Sequence, residues 1–192
     1  MKSSVNEVFV NEVLYHFTSR FHIPLILKDR FLRVTDSNLK EDDVMYKQVV
    51  WLTRSIDGKG NVPDGATHGF SGPNKEEIRI TLKKRNCYEP WVLWSKDNRM
   101  STKRIKLISR GTMPHDWYVS ENEISLTVEE VVRIENMTTG EVLIDVEAGI
   151  RTCRIDVADI LANIKDVRED TAIKEYYADR DLGLEEIVEF SI

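Results

Sequence analysis

The sequence predicts an α+β fold, a split antiparallel or mixed β-sheet core with few helices and one C-terminal helix. Many short runs alternate apolar and polar residues with the two-residue period of strands, whereas few stretches show helical spacing. Strands and helices do not alternate regularly, which argues against a doubly wound sheet. The 192 residues suffice for one main domain, which we expect over residues 1–150, with an acidic helical extension over 151–192 packed on it.

The first predicted strand covers residues 13–18 and is followed at once by a short helix. In the run VLYHFTS, apolar and polar side chains alternate as in a half-buried strand. Ser19 is the expected N-cap of the helix that follows. The apolar stripe of this helix recurs at helical spacing and comprises Ile23, Ile26 and Leu27.

The middle of the chain predicts further strands around a long glycine-rich loop. Residues 48–55, QVVWLTRS, are rich in strand-forming residues, and residues 76–84 place isoleucine and leucine on one side of a strand. Between them lie five glycines and two prolines, a composition typical of a functional lid or of a connector without function. The segment containing Trp91 and Trp94 is predicted to be β-like. A hairpin is expected to turn at Gly140.

The C-terminal part predicts one helix and a last short strand. Apolar residues at helical spacing extend the helix over residues 156–181, with Asp156 as its N-cap and Gly183 as its stop. The tail LEEIVEFSI then has the pattern of a strand.

Charge is unevenly distributed along the chain, whose net charge is −6. Residues 75–110 hold eleven Lys and Arg against four acids, and residues 156–192 hold eleven acids against four bases. Such segregation is typical either of a polyanion-binding face beside an acidic protein-binding helix, or of two solvated surfaces.

Several common chemistries are absent from the sequence. It has no glycine-rich phosphate loop, no HExxH motif and no paired CxxC motif, and Cys87 and Cys153 have no metal-ligand spacing. The four histidines also lack such spacing, so we expect no metal. With no apolar run long enough to cross a bilayer and no signal-peptide pattern, we expect a cytoplasmic protein without a membrane partner.

The segment Leu14–Ser19, LYHFTS, places a histidine and two hydroxyls inside an apolar strand. This pattern suits a core histidine, a metal ligand or the wall of a nucleotide pocket. With the helix IPLIL and the extended RFLRV after it, the segment resembles the opening of ADP-ribosyltransferase-like proteins. The similarity is to bacterial and phage relatives of the DNA-targeting transferase toxins, and more distantly to RNA 2′-phosphotransferases. VVWLTRS and WYVSENEISL occupy the places of that superfamily's second strand and of its late, glutamate-bearing strand.

The resemblance implies an NAD-dependent mono-ADP-ribosyltransferase whose acceptor is a nucleic acid or nucleotide held by the 75–110 basic segment. It implies that Glu121 or Glu123, on one face of a strand, contacts the nicotinamide ribose and stabilises the charge that develops there. NAD would be bound by five residues. His16 would contact a ribose hydroxyl, and Thr18 or the backbone of its strand would hold the amide. Tyr15 or Trp51 would stack on a ring, and Arg79 would meet the pyrophosphate.

The alternative is a non-catalytic nucleotide-binding or protein-interaction module, such as a phage-encoded inhibitor or immunity protein. Two departures favour it. The tyrosine usual in the second motif is missing unless Trp51 replaces it, and the Glu-x-Glu pair accompanies a first-strand histidine instead of the arginine found in transferases that modify arginine. Its partner would bind the acidic C-terminal helix.

Overall fold

A computed structural model describes residues 12–34, 39–41, 44–57, 75–110, 112–162, 174, 175, 177, 178 and 187–192. The strands in chain order are β1 (Val13–Thr18), β2 (Phe31–Leu32), β3 (Lys40–Glu41), β4 (Val44–Met45), β5 (Val50–Thr53), β6 (Ile78–Lys83), β7 (Glu89–Pro90), β8 (Trp117–Ser120), β9 (Ile124–Ser125), β10 (Val131–Asn136), β11 (Val142–Asp145), β12 (Thr152–Asp156) and β13 (Ile187–Ser191). The helices are α1 (Ile23–Asp29), α2 (Trp91–Asp97), α3 (Thr102–Ile108) and α4 (Val157–Ala162), with a 3₁₀ turn at Pro114–Asp116.

The main element is a seven-stranded sheet in the order β11-β10-β6-β1-β5-β8-β7, in which every described pairing is antiparallel. The expected α+β class with few helices is confirmed. So are the strands at 13–18, 48–55 and 76–84, and the hairpin at Gly140, whose φ of 76° suits glycine.

Strand β1 lies in the middle of the sheet, and its alternation divides the sheet into two faces. Leu14, His16 and Thr18 point to one face, which we call the α1 face because Ile23, Leu25 and Leu27 of α1 share its core. This core also contains the β5 and β6 residues Leu52, Ile80 and Leu82.

The opposite face carries a second apolar cluster at its β5–β8 end, and we call it the tryptophan face. Trp51 and Val119 of the sheet pack there against α2 and α3. The buried α2 residues Trp91, Trp94 and Ser95 have helical spacing, so the expected β-like conformation of this segment is wrong. Pro90, which fits just before a helix, precedes its first turn.

The C-terminal residues belong to the same core as the sheet. Ile155, Val157, Tyr177 and Phe190 are buried in one cluster with residues of β1 and β6, and the Tyr177 hydroxyl donates to the backbone oxygen of Phe21. The expected final strand is confirmed as β13, paired with β12. Of the helix expected over 156–181, α4 is described. Residues 163–173, 176 and 179–181 lie outside the described residues, as do residues 58–74 of the glycine-rich loop.

Candidate functional site

His16 is half-buried on the α1 face and is oriented by a hydrogen bond across the sheet. Strands β1 and β5 are paired at Tyr15 and Thr53. Trp51 lies two residues before Thr53 on β5, and its backbone oxygen is 2.9 Å from His16 Nδ1. A carbonyl oxygen only accepts, so Nδ1 carries the proton and donates. Burial lowers the pKa of His16, which keeps the ring neutral, although the bond to Trp51 opposes this shift. The neutral ring therefore presents Nε2 as an acceptor.

A second histidine accompanies His16 at the entry to α1. His22 Nδ1 lies 2.7 Å from the hydroxyl of Ser19, and the His22 amide donates to the Ser19 carbonyl over 3.1 Å. Burial, together with the charges of Lys75 and His16, lowers the pKa of His22 to about 4. The N-cap of α1 is His22, so the expected capping role of Ser19 is wrong: its hydroxyl bonds to the His22 ring instead.

The five residues expected to bind NAD do not all lie on one face of the sheet. His16 and Thr18 belong to the α1 face, whereas Tyr15, Trp51 and Arg79 belong to the tryptophan face. The physical reason is the pleat, because adjacent residues of a strand point to opposite sides of it. A single pocket lined by all five side chains is therefore excluded.

Arg79 is held by partners on the tryptophan face. Its guanidinium donates to Glu135 over 2.8 Å and to the backbone oxygen of Ile56, and it lies 5.3 Å above the ring of Tyr15. Both ion-pair partners are 13% exposed. The expected pyrophosphate contact would have to compete with this largely buried ion pair.

Trp51 belongs to an aromatic cluster. Its ring centroid lies 4.7 Å from that of Trp91 and 5.4 Å from that of Trp117, and Trp91 stacks on Trp94 at 5.6 Å. These contacts pack its partly buried indole against the buried cluster of the tryptophan face, on the side of the sheet opposite His16. The contribution of Trp51 to the His16 site is its backbone oxygen.

Glu121 and Glu123 do not share a strand face as expected, because β8 ends at Ser120 and both glutamates lie before β9 begins. Glu121 accepts from Lys47 over 2.6 Å and from the Trp94 indole over 2.9 Å. These donors lower its pKa, chiefly through the Lys47 hydrogen bond. Glu123 lies 3.6 Å from Arg33, which is next to β2.

Sequence reasoning missed Ser19 and His22 as site residues. Ser19 was interpreted as a cap and His22 only as one of four dispersed histidines. A usable signal was present, because a turn directly after a strand folds back on it and brings residues three to six positions apart together.

The basic segment separates into a paired and an unpaired part. Arg79, Lys84 and Arg85 form ion pairs with Glu135, Glu12 and Glu130. The second part lies on α2, α3 and the turns after them, and we call it the α2–α3 basic surface. Five exposed cations there have no acidic partner among the described residues: Lys96, Arg99, Lys103, Lys106 and Arg110.

Comparisons with protein-family models, with curated proteins and with solved structures find no match to this chain. Within the described parts of the chain, no three His, Cys, Asp or Glu side chains are grouped to hold a metal ion. No helix in those parts is long and apolar enough to cross a membrane.

Proposed function

We propose that this chain is an NAD-using, ADP-ribosyltransferase-like protein that transfers ADP-ribose to a nucleic acid or nucleotide acceptor. The observation that carries the proposal is the oriented, neutral His16, whose Nδ1 is bound to Trp51 and whose Nε2 has no partner among the described residues. A further support is that the segments resembling the three motifs of the superfamily contribute the neighbouring strands β1, β5 and β8.

The His16 site suits a ribose. Nε2 accepts a hydrogen bond from a ribose hydroxyl, and Thr18 lies on the same face of β1.

Of the two glutamates, we assign the carboxylate role to Glu123. Glu121 is held by Lys47 and Trp94 on the tryptophan face, opposite His16. Glu123 precedes Ile124, whose side chain belongs to the α1-face core, and its contact with the exposed Arg33 is a weak surface pair. Glu123 is therefore the less firmly held of the two carboxylates.

The proposed reaction breaks the bond between nicotinamide nitrogen and ribose C1′, and nicotinamide leaves with the bonding electrons. The acceptor nucleophile forms the new bond to C1′ and gives up its proton. Positive charge develops on the ribose as nicotinamide leaves, and a nearby carboxylate stabilises that charge.

The α2–α3 basic surface supplies the acceptor side of the proposal. Unpaired Lys and Arg side chains bind phosphates with strong salt dependence, and removing one bound phosphate lowers the slope of log K against log salt by about 0.7 to 0.9. Lys103→Ala/Lys106→Ala should therefore reduce the salt slope of oligonucleotide binding by about 1.5. Lys84→Ala, which removes a cation already paired with Glu12, is the matched control.

Ligand-observed NMR of the protein with NAD, followed over hours, tests binding and nicotinamide release in one sample. We expect release by the wild type and by Glu121→Gln, and binding without release in Glu123→Gln. His16→Asn should lose binding, because asparagine can replace Nδ1 as the donor to Trp51 but offers no group at the position of Nε2. Absence of any NAD signal at millimolar concentration would refute the proposal.

A binding module without chemistry is the second candidate, and one observation favours it. Both glutamates make ion pairs, and among the described residues neither has a hydrogen bond to His16. NAD binding without nicotinamide release by the wild type, with or without an oligonucleotide, would support this function in place of transfer.

A further inference from the structure

The hydrogen bonds of the two site histidines determine which ring nitrogen carries each proton. In His16 the proton is on Nδ1, because the oxygen of Trp51 cannot donate. In His22 the partner of Nδ1 is the Ser19 hydroxyl, which is fully buried. A buried hydroxyl that donates to nothing is costly, and its contact among the described residues is His22 Nδ1. Ser19 therefore donates, and the proton of neutral His22 is on Nε2.

Both histidines lie at the junction of β1 and α1, on the α1 face. His22 directly precedes α1, which packs on the face that carries His16, and its amide folds back to the Ser19 carbonyl just after β1. Neither side chain is fully buried.

We infer that His16 and His22 form a donor–acceptor pair that recognises the cis-diol of a ribose. His16 Nε2 accepts from one hydroxyl, and His22 Nε2–H donates to the same hydroxyl or to its neighbour. Hydroxyls both donate and accept, so a ribose satisfies both rings, and a deoxyribose that lacks a contacted hydroxyl leaves at least one ring unpaired.

This inference rests on the proposed function in taking the ribose to be that of NAD, and it assigns His22 as a specificity-determining residue. Ser19 acts through His22 and is a positioning residue. If either tautomer of His22 were available, its Nε2 could donate or accept, and the ring would discriminate less between ribose and deoxyribose. The hydrogen bond from the Ser19 hydroxyl fixes one tautomer and so gives the pair its selectivity.

The first test needs no ligand. Long-range ¹⁵N–¹H NMR spectra distinguish the two neutral tautomers of histidine, and the chain has four histidines to assign. We expect the Nδ1–H form for His16 and the Nε2–H form for His22 at about pH 7.5, well above the lowered pKa of each ring. An Nδ1–H form for His22 would overturn the inference. Ser19→Ala should remove the preference of His22 and leave His16 unchanged.

The second test measures binding of nicotinamide mononucleotide and of its 2′-deoxy and 3′-deoxy analogues. The wild type should bind at least one deoxy analogue about 10-fold more weakly than the parent, the effect of one missing hydrogen bond. His22→Gln, whose amide nitrogen can replace Nε2–H, should stay within about threefold of the wild type. His22→Phe should bind all three compounds alike. Equal binding of all three compounds by the wild type, or no binding of any, would overturn the inference.

Nicotinamide release from NAD by the same variants separates this inference from the proposed function. A His22→Phe protein that binds the mononucleotide and releases nicotinamide as the wild type does would overturn the role of His22 and leave the transferase standing. If the wild type discriminates against the deoxy analogues but releases no nicotinamide, the ribose-binding inference is supported and the proposed transferase activity is refuted. Urea unfolding of His22→Phe and His22→Gln shows whether both variants are folded.

Discussion

Replacement of His16 should separate its contribution to the fold from its contribution to the site. His16→Ala removes the 2.9 Å hydrogen bond and leaves the Trp51 oxygen without that donor inside the sheet. An unsatisfied acceptor costs about 1–3 kcal/mol, and the loss of ring packing adds to this, so we expect the free energy of unfolding to fall by about 2–4 kcal/mol. His16→Asn retains a donor near the position of Nδ1 and should lose less than about 1 kcal/mol.

Urea denaturation followed by tryptophan fluorescence measures both variants, because Trp51 and the tryptophans packed on it are close to the altered bond. With a slope of about 2 kcal/mol per molar urea, His16→Ala should lower the midpoint by about 1–2 M. His16→Asn should keep the midpoint within about 0.5 M and still lose NAD binding. Equal destabilisation by the two substitutions would refute the reasoning, since it would mean that the bond to Trp51 does not orient the ring.

Three further predictions concern charge and packing. The pKa of His22 is about 4, below the ordinary value near 6.5, so the unfolded state binds more protons between these values. The free energy of unfolding should then fall by up to about 3 kcal/mol as the pH is lowered from about 7 to about 4. The urea midpoint should depend less on pH in His22→Gln, and the same pH dependence in this variant and the wild type would contradict the prediction. Arg79→Leu should lower the free energy of unfolding by about 2–3 kcal/mol, because it leaves the largely buried Glu135 without its closest partner. The loss should be smaller in the Glu135→Gln background, which a double-mutant cycle measures. Tyr177→Phe should cost about 1–2 kcal/mol because the Phe21 oxygen loses its donor, and an unchanged urea midpoint would argue against that hydrogen bond.

Local patterns predicted much of the fold because strand alternation and turn chemistry depend on neighbouring residues. The runs that became β1, β5 and β6, the turn at Gly140 and the final strand could be recognised in this way. The segment at Trp91 could not, because its choice between strand and helix depends on packing against β5 and β8. Large aromatic residues suit either structure when they are buried.

The candidate site was predicted in part. His16 and Thr18 lie where a pocket wall on β1 was expected, on the face packed by α1. Tyr15 does not share the face of His16, since adjacent residues of a strand face opposite sides. The partner of Arg79 could not be read from the chain, because Glu135 is 56 residues away.

By itself, the sequence determined the α+β class, the positions of most strands and the placement of a histidine and two hydroxyls at the end of β1. These are local properties, set by side-chain periodicity and by the short turn into α1. Only the tertiary structure decided that Trp51 orients His16, that Ser19 bonds to His22 and that Glu121 is held by Lys47 and Trp94. Most of these contacts join residues far apart in the chain, and each depends on the register of the strands and on the faces that the helices cover.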